Sequence, residues 1–377
     1  MAAHMIFKKS GLMILGLFFL ALARPPGETA AGSDGVSSWE ETLRAAKKEG
    51  QIVLYTYPGQ EIVFQEFQKK FPEIRFVEVT VRGSDRVQRI LAERRAGKYL
   101  ADLVIGGAGS IYIGLYKTKS LDPIKPALIL AEVVDESKWW GRKHIYGDDE
   151  GRYILGFSGS PSYYFHYNTN LVNPNEFKSF WDFLNPKWKG KFLIAEPLSG
   201  GTPEVLQFLY HHPSLGPKFL KTFLTEMDVT VTRDLRQFVD WLALGKVPLA
   251  ALQGANRVDL WEARKQGLPV NTFDFGKLKE GGMVGSGGGS IAMLNQPPHP
   301  NAAKVFINWL LSREGQIAYQ RFARGGENSF RIDIPKEDVP PYARLPEGVG
   351  YTLMTDPPYN DVESMRNFVS DLWKRRK

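Results

Sequence analysis

The sequence predicts an α/β protein of two lobes, each a mostly parallel sheet flanked by helices, with two crossover strands forming a hinge. Three observations predict it. Strand, loop and helix alternate along the chain on both sides of residue 151. The stretch from Gly151 to Asn170 reads as a strand, a Ser/Gly/Pro break at Gly159 and Pro161, and a second, aromatic strand ending in a turn. The glycine-rich run from Gly285 to Leu294 reads as a return crossing. Two lobes joined by two crossings leave a cleft, and function belongs in that cleft. A chain of 377 residues gives each lobe enough length for its own core.

Composition narrows the function classes. Hydrophobic residues make up 43% and charged residues 24%, as in globular proteins. The net charge of +7 raises nucleic acid as a partner, but Lys and Arg are scattered apart from Lys374-Arg375-Arg376-Lys377, and no zinc-finger or RNA-binding signature occurs. Nucleic acid is therefore not expected. A cationic surface suits anionic solutes or a membrane surface equally. At the N-terminus, Lys8-Lys9 precedes an apolar core from Gly11 to Ala23, too short to span a bilayer comfortably. Small residues follow at Ala21 to Ala23 and Thr29 to Ala31, so residues 1–31 read as a secretory signal peptide, with an N-terminal anchor helix as the alternative. The chain has no Cys, hence no lipid-modified cysteine and no disulfide, and its stability rests on its cores.

The elements follow in order. Ser38 to Gly50 is an amphipathic helix closed by glycine, and Gln51 to Thr56 a buried strand. Tyr57 to Gln60 is a loop, and Glu61 to Phe71 has helical spacing. Arg75 to Thr80 is a strand, Arg82 to Asp85 its loop, and Arg86 to Ala96 a helix. Ala101 to Ile105 is a third strand with loop Gly106 to Ser110. In parallel sheets ligands bind beyond the carboxyl ends of the strands, which places Tyr57, Arg82, Ser84 and Ser110 on one candidate surface. Past the crossing come a short helix and proline turn from Phe180 to Lys191, and a strand from Phe192 to Ala195. The loop Glu196 to Pro203 opens a helix. Strands at Val229 to Thr232 and Val247 to Leu252 each lead into a helix. Asn301 to Leu311, Glu314 to Ala323 and Asp361 to Lys374 read as helices, with a proline-rich tail from Pro335 to Pro358.

Candidate chemistry concentrates in the loops. Ser199, Gly200, Gly201 and Thr202 expose backbone N–H groups at a helix start, where partial positive charge attracts anions; an ordinary capped helix reads the same way. Arg233 and Arg257 each follow a lobe-two strand, as cleft residues that pair an anion in bidentate fashion or as solvated surface residues. Ser158 and Ser160 on the crossing are second-rank candidates. The glycine run from Gly285 lacks the Lys-Ser/Thr ending of a phosphate-binding loop and reads as a flexible crossing. The histidines show no metal-ligand spacing, and adjacent Tyr163 and Tyr164 point to opposite faces of a strand. No nucleophile elbow and no Cys nucleophile occurs, so no catalytic residue is expected.

Several stretches together carry a resemblance: Ile52 to Tyr55 with its aromatic loop, Ala101-Asp-Leu-Val104, Tyr167-Asn-Thr-Asn-Leu-Val172, Leu184-Asn-Pro-Lys-Trp-Lys-Gly-Lys191, and Pro298 to Gln316. They resemble the periplasmic solute-binding proteins of ABC importers, family 1, in the grouping with ferric-iron-binding proteins. The resemblance implies the type II periplasmic-binding-protein fold, a monomer that closes on a small-molecule solute, and an inner-membrane ABC permease as partner, with no cofactor. Lobe one is expected from residues 36–157 with 286–345, lobe two from 158–285, and a C-terminal tail and helix from 346–377. Similar ferric-binding members place two adjacent tyrosines where this chain reads Gln253-Gly-Ala-Asn256-Arg257. Asn256 and Arg257 supply no phenolate, which favours an anionic organic solute, a carboxylate or phosphorylated compound, bound in part by these two residues. The alternatives are ferric iron with a synergistic anion, and a secreted α/β enzyme.

Overall fold

The computed structural model describes residues 33–375 except 82, 199–201, 253–256, 286, 324–326 and 346–349; at 33–37, 84, 202, 203, 235, 257 and 360 it describes the backbone alone. Lobe one is built on a seven-stranded sheet. Strand β1 (Gln51–Thr56) lies between β2 (Arg75–Thr80) and β3 (Leu103–Gly106), parallel to both, with Thr56 opposite Thr80 and Tyr55 opposite Val104. On its other edge, β3 meets β14 (Ser290–Leu294) running antiparallel, Ser290 opposite Gly106. Beyond β14 lie β6 (Ile154–Gly156), β5 (Ile145–Tyr146) and the short β4 (Leu121–Asp122). The return crossing thus feeds the middle of the sheet against the parallel direction that the alternation predicts.

Helices cover both faces. On one, α1 (Ser33–Glu49) packs on α10 (Pro300–Leu311), and α2 (Glu61–Lys70) on α11 (Arg313–Phe322). Phe64, Phe67, Phe76, Phe306 and Trp309 stack there with centroids 4.6–6.0 Å apart. Offset and edge-to-face contacts of this kind add about 0.5–1.5 kcal/mol each beyond area burial. On the other face lie α3 (Gly83–Arg95) and α4 (Ala108–Ile111), the latter running on into a π-helical turn at Tyr112–Tyr116. Buried polar side chains set where the helices sit. The Asp102 carboxylate accepts from Val53 N (2.8 Å) and His299 N (2.7 Å), fixing the start of α10 beside β1. Asn308 accepts from Ile129 N and Leu130 N and donates to Ala127 O, fixing the middle of α10. The short helix α5 (Ala131–Val134) follows directly.

Lobe two has a five-stranded sheet. Its strands are β8 (Phe165–Asn168), β9 (Phe192–Ala195), β10 (Thr230–Thr232), β11 (Leu249–Ala251) and β12 (Val270–Thr272). Parallel β9 sits between β10 and β11, while β8 pairs antiparallel with β11 and β12. Its core is a cluster of phenylalanines (165, 180, 183, 192, 208, 219, 223 and 275), each at most 1% exposed. Helices α6 (Thr202–His211), α7 (Gly216–Glu226), α8 (Leu235–Ala243) and α9 (Arg257–Lys265) surround the sheet. The Asn-Pro-Lys-Trp segment forms 3₁₀ turns, in which the Asn185 side chain accepts from Lys187 N and Trp188 stacks on Phe177 at 5.4 Å.

A third sheet marks the crossing. Here β7 (Ser160–Pro161) pairs antiparallel with β13 (Gly282–Gly285), Gly285 opposite Ser160. The proline-rich tail contributes a strand of its own, β15 (Tyr351–Leu353), parallel to β13. The last helix, α12 (Val362–Arg375), then packs on α6 and α7, burying Met365 and Val369 completely. A third connection therefore binds the two lobes besides the two crossovers.

Candidate functional site

The carboxyl ends of β1, β2 and β3 form a wall of lobe one against which the return crossing packs. Half-buried Tyr57, in the first residue after β1, accepts a hydrogen bond from Gln60 Nε2 (3.0 Å), and its hydroxyl lies 3.2 Å from that of Tyr319 on α11. The Ser158 hydroxyl, on the outgoing crossing, donates to Tyr319 at 3.4 Å. Tyr57, Tyr319 and Ser158 thus make a hydrogen-bonded chain from the lobe-one wall to the hinge. Burial pushes the Tyr57 phenol up, reinforced by the negative charge of Glu327 and opposed by Tyr319 and Arg86. Burial also lifts the fully buried Tyr319 well above the ordinary phenol range.

Arg86, in the first turn of α3, lies over Gly106, where an added Cβ would collide with its guanidinium. It is 2% exposed. Its Nη1 donates to Val81 O (3.2 Å), and its Nε has no partner. Burial lowers its pKa, and the coulombic effect of Tyr57 counters this. Among the described residues no carboxylate pairs with it.

The return crossing lies directly on this wall. A Cβ at Gly288 would strike the Tyr57 ring, and one at Gly289 would strike Ser158. Gly287 takes a φ of 52° and brings its carbonyl against Gly107. Several polar atoms around the junction are buried without a partner: the hydroxyls of Thr56, Ser160 and Ser290, and the side-chain oxygen of Gln60. Ser110, half-buried in α4, donates to Gly107 O (2.9 Å).

On the lobe-two side, Arg233 follows β10 and pairs with Glu196 through two bonds, one from Nη2 at 2.7 Å. Its guanidinium is already engaged, so an incoming anion competes with Glu196. Tyr164 donates to Glu204 of α6, whose carboxylate lies where a side chain at Gly285 would be.

Of the residues singled out from sequence, the structure brings Tyr57 and Ser158 together through Tyr319, puts Ser160 on the crossing strand β7, and sets Ser110 in α4 at the end of β3. Arg82, Ser199, Gly200, Gly201 and Asn256 lie outside the described residues, as do the side chains of Ser84, Thr202 and Arg257; the last two open α6 and α9. Arg86, Tyr319, Ser290 and Glu327 were not singled out. Arg86 and Tyr319 sit inside helical stretches, and nothing in their spacing says which way those helices turn. Among the described residues no cluster of three His, Asp or Glu is placed to hold a metal ion, and no helix is long and apolar enough to cross a membrane.

The family model for bacterial extracellular solute-binding protein matches residues 63–325. The chain belongs to that family, and it is the substrate-binding component of an ABC importer. Solved structures with the same fold include Trichodesmium IdiA (FutA) in complex with iron and citrate, at a TM-score of 0.66 and 18% identity over 86% of this chain and 99% of that one. Iron-bound HitA from Pseudomonas aeruginosa gives 0.59 and 19%, over 85% and 99%. AfuA from Actinobacillus pleuropneumoniae with fructose-6-phosphate bound gives 0.55 and 16%, over 86% and 98%. No curated protein sequence matches. These neighbours share the two-lobed type II periplasmic-binding-protein fold.

Proposed function

We propose that this protein captures a small anionic organic solute, a carboxylate or a phosphorylated compound, in the periplasm and delivers it to its ABC permease. The observation that carries the reading is the set of buried hydroxyls without protein partners at the end of the lobe-one sheet and on the outgoing crossing, those of Thr56, Ser160 and Ser290, each able to donate to a solute oxygen. Orphan groups of this kind cost stability unless water or a bound solute satisfies them. The loops singled out from sequence, including those holding Arg82, Ser199 to Thr202, Asn256 and Arg257, follow strands of both lobes. A solute touching both lobes is held more tightly by the closed form and shifts the population toward it. One structural neighbour was solved with iron and citrate and another with fructose-6-phosphate, so organic anions are among the ligands this fold holds, with iron in the first case.

The test is a thermal-shift screen of the chain from residue 33 onward. The panel holds citrate, other di- and monocarboxylates, sugar phosphates, inorganic phosphate and a ferric chelate. At 100 times its dissociation constant a ligand adds about 2.7 kcal/mol. A midpoint rise with an organic anion is expected; none with any anion would overturn the reading.

One observation favours a second reading, ferric iron. Tyr57 and Tyr319 bring two phenol oxygens within 3.2 Å, with Glu327 close enough to act on both. Phenolate and carboxylate oxygens suit a hard trivalent cation. Visible colour on adding iron would support it.

A further inference from the structure

We infer that Arg86 is the lobe-one anchor for the anionic group of the solute. The inference rests on the anion reading above and assigns it a residue. A guanidinium stays charged in proteins, and burying it without a counter-charge is costly. The other deeply buried arginine among the described residues shows how this chain normally meets that cost. Arg331, 1% exposed, is paired with Asp333 at 2.8 Å and Glu132 at 3.2 Å, and donates to Leu311 O besides. Arg86 is buried to the same degree with one backbone carbonyl and no acid. Its Nε edge, the edge that grips two oxygens in side-on bidentate pairs, is unused.

The position is that of a binding residue. Arg86 stands where β1, β2 and β3 end: its bond goes to Val81, just beyond β2, it covers Gly106 at the end of β3, and it neighbours Tyr57, just beyond β1. Glycine at 106 makes the room. Ser290, whose hydroxyl is free, lies opposite Gly106 in the sheet. Tyr57, which acts electrostatically on Arg86, and Ser290, opposite Gly106, offer further donors to a carboxylate or phosphate oxygen on the Nε edge. Gly287 and Gly288 of the return crossing close over this wall.

The test compares wild type with Arg86→Met and Arg86→Lys, reading the melting midpoint without ligand and the affinity for citrate, fructose-6-phosphate and inorganic phosphate. The three probes separate carboxylate from phosphate recognition. Removing an uncompensated buried cation is expected to leave the ligand-free midpoint unchanged or higher, while weakening the binding of whichever probe wild type takes at least ten-fold. Arg86→Lys keeps the charge but loses the fork, and is expected to fall between. Unchanged affinity in both variants would remove Arg86 from the site and leave the anion reading standing. A lower ligand-free midpoint of Arg86→Met with affinity intact would make Arg86 a structural residue. If Arg86→Met does not fold, the Arg86→Lys affinity decides. Wild type that takes none of the probes overturns the inference together with the reading it rests on.

Discussion

Gly288 has no room for a side chain, because the Tyr57 ring occupies the place a Cβ would take. Gly288→Ala is therefore expected to displace either the crossing or the ring. Overpacking of this sort costs about 1–3 kcal/mol. Calorimetry should show weaker ligand binding together with a lower melting midpoint; a midpoint equal to wild type would mean the crossing yields freely. The glycine run was legible as a crossing, but its tight fit against Tyr57 was not, since close approach leaves no trace in a row of glycines. Lys336 offers a second test at this scale. Its ammonium donates to Ser329 O (2.7 Å) and Gln320 Oε1 (3.1 Å), yet burial brings its pKa down to about 8. The unfolded chain holds that proton up to about pH 10.4. Between about pH 8 and about pH 10.4 the unfolded state binds more protons, so stability rises with pH there, by about 1–3 kcal/mol in all. Melting curves from pH 7.5 to 9.5 should show this rise in wild type and not in Lys336→Met; parallel curves would contradict it. Tyr57 and Ser158 could be named from sequence as candidates because they follow strands β1 and β6. Arg86 could not, because its place over Gly106 depends on how α3 turns.

At the scale of elements, alternation of strand and helix made β1, β2, β3, β9 and the helices after them legible. What escaped depends on partners far along the chain. The central antiparallel place of β14 is set by pairing with strands well over a hundred residues earlier. Strand β15 hides in the proline-rich tail because three residues carry no periodicity, and it exists through pairing with β13. The tail is a structural strap: Leu353 joins the lobe-one core, while Met354, Met365 and Val369 join that of lobe two. Deleting residues 346–377 uncovers α6 and α7. Met365 and Val369 alone are worth about 3–6 kcal/mol at roughly 1.5–3 kcal/mol for each buried side chain. The truncated chain should melt lower and expose residues 202–226 to protease; a midpoint equal to that of the full chain would show the strap to be dispensable. A smaller contact also bridges the lobes. Trp261 of α9 meets Tyr342, in the segment that follows lobe one's helices, with ring centroids 5.6 Å apart. An aromatic pair of about 0.5–1.5 kcal/mol favours closure by roughly 2- to 12-fold. Trp261→Ala should weaken ligand binding within that range, with lobe stability unchanged.

At the scale of the whole molecule, the two-lobed form could be read in advance because a break of Ser, Gly and Pro between two strands, and a glycine run near residue 285, interrupt an otherwise regular alternation. The family follows from the chain itself. The solute does not, because it is chosen by loop side chains and by the orphan groups around the hinge, which only the packed structure reveals. On the proposed function, an organic anion meets those groups and the lobes close on it. Isothermal titration of the iron-free chain from residue 33 with the panel of carboxylates and sugar phosphates, followed by a ferric chelate, tests this most directly. The account predicts saturable one-to-one binding of at least one organic anion without metal. Binding of ferric iron alone, with a visible tint and no heat from any anion, would contradict it and hand the site to the tyrosine pair.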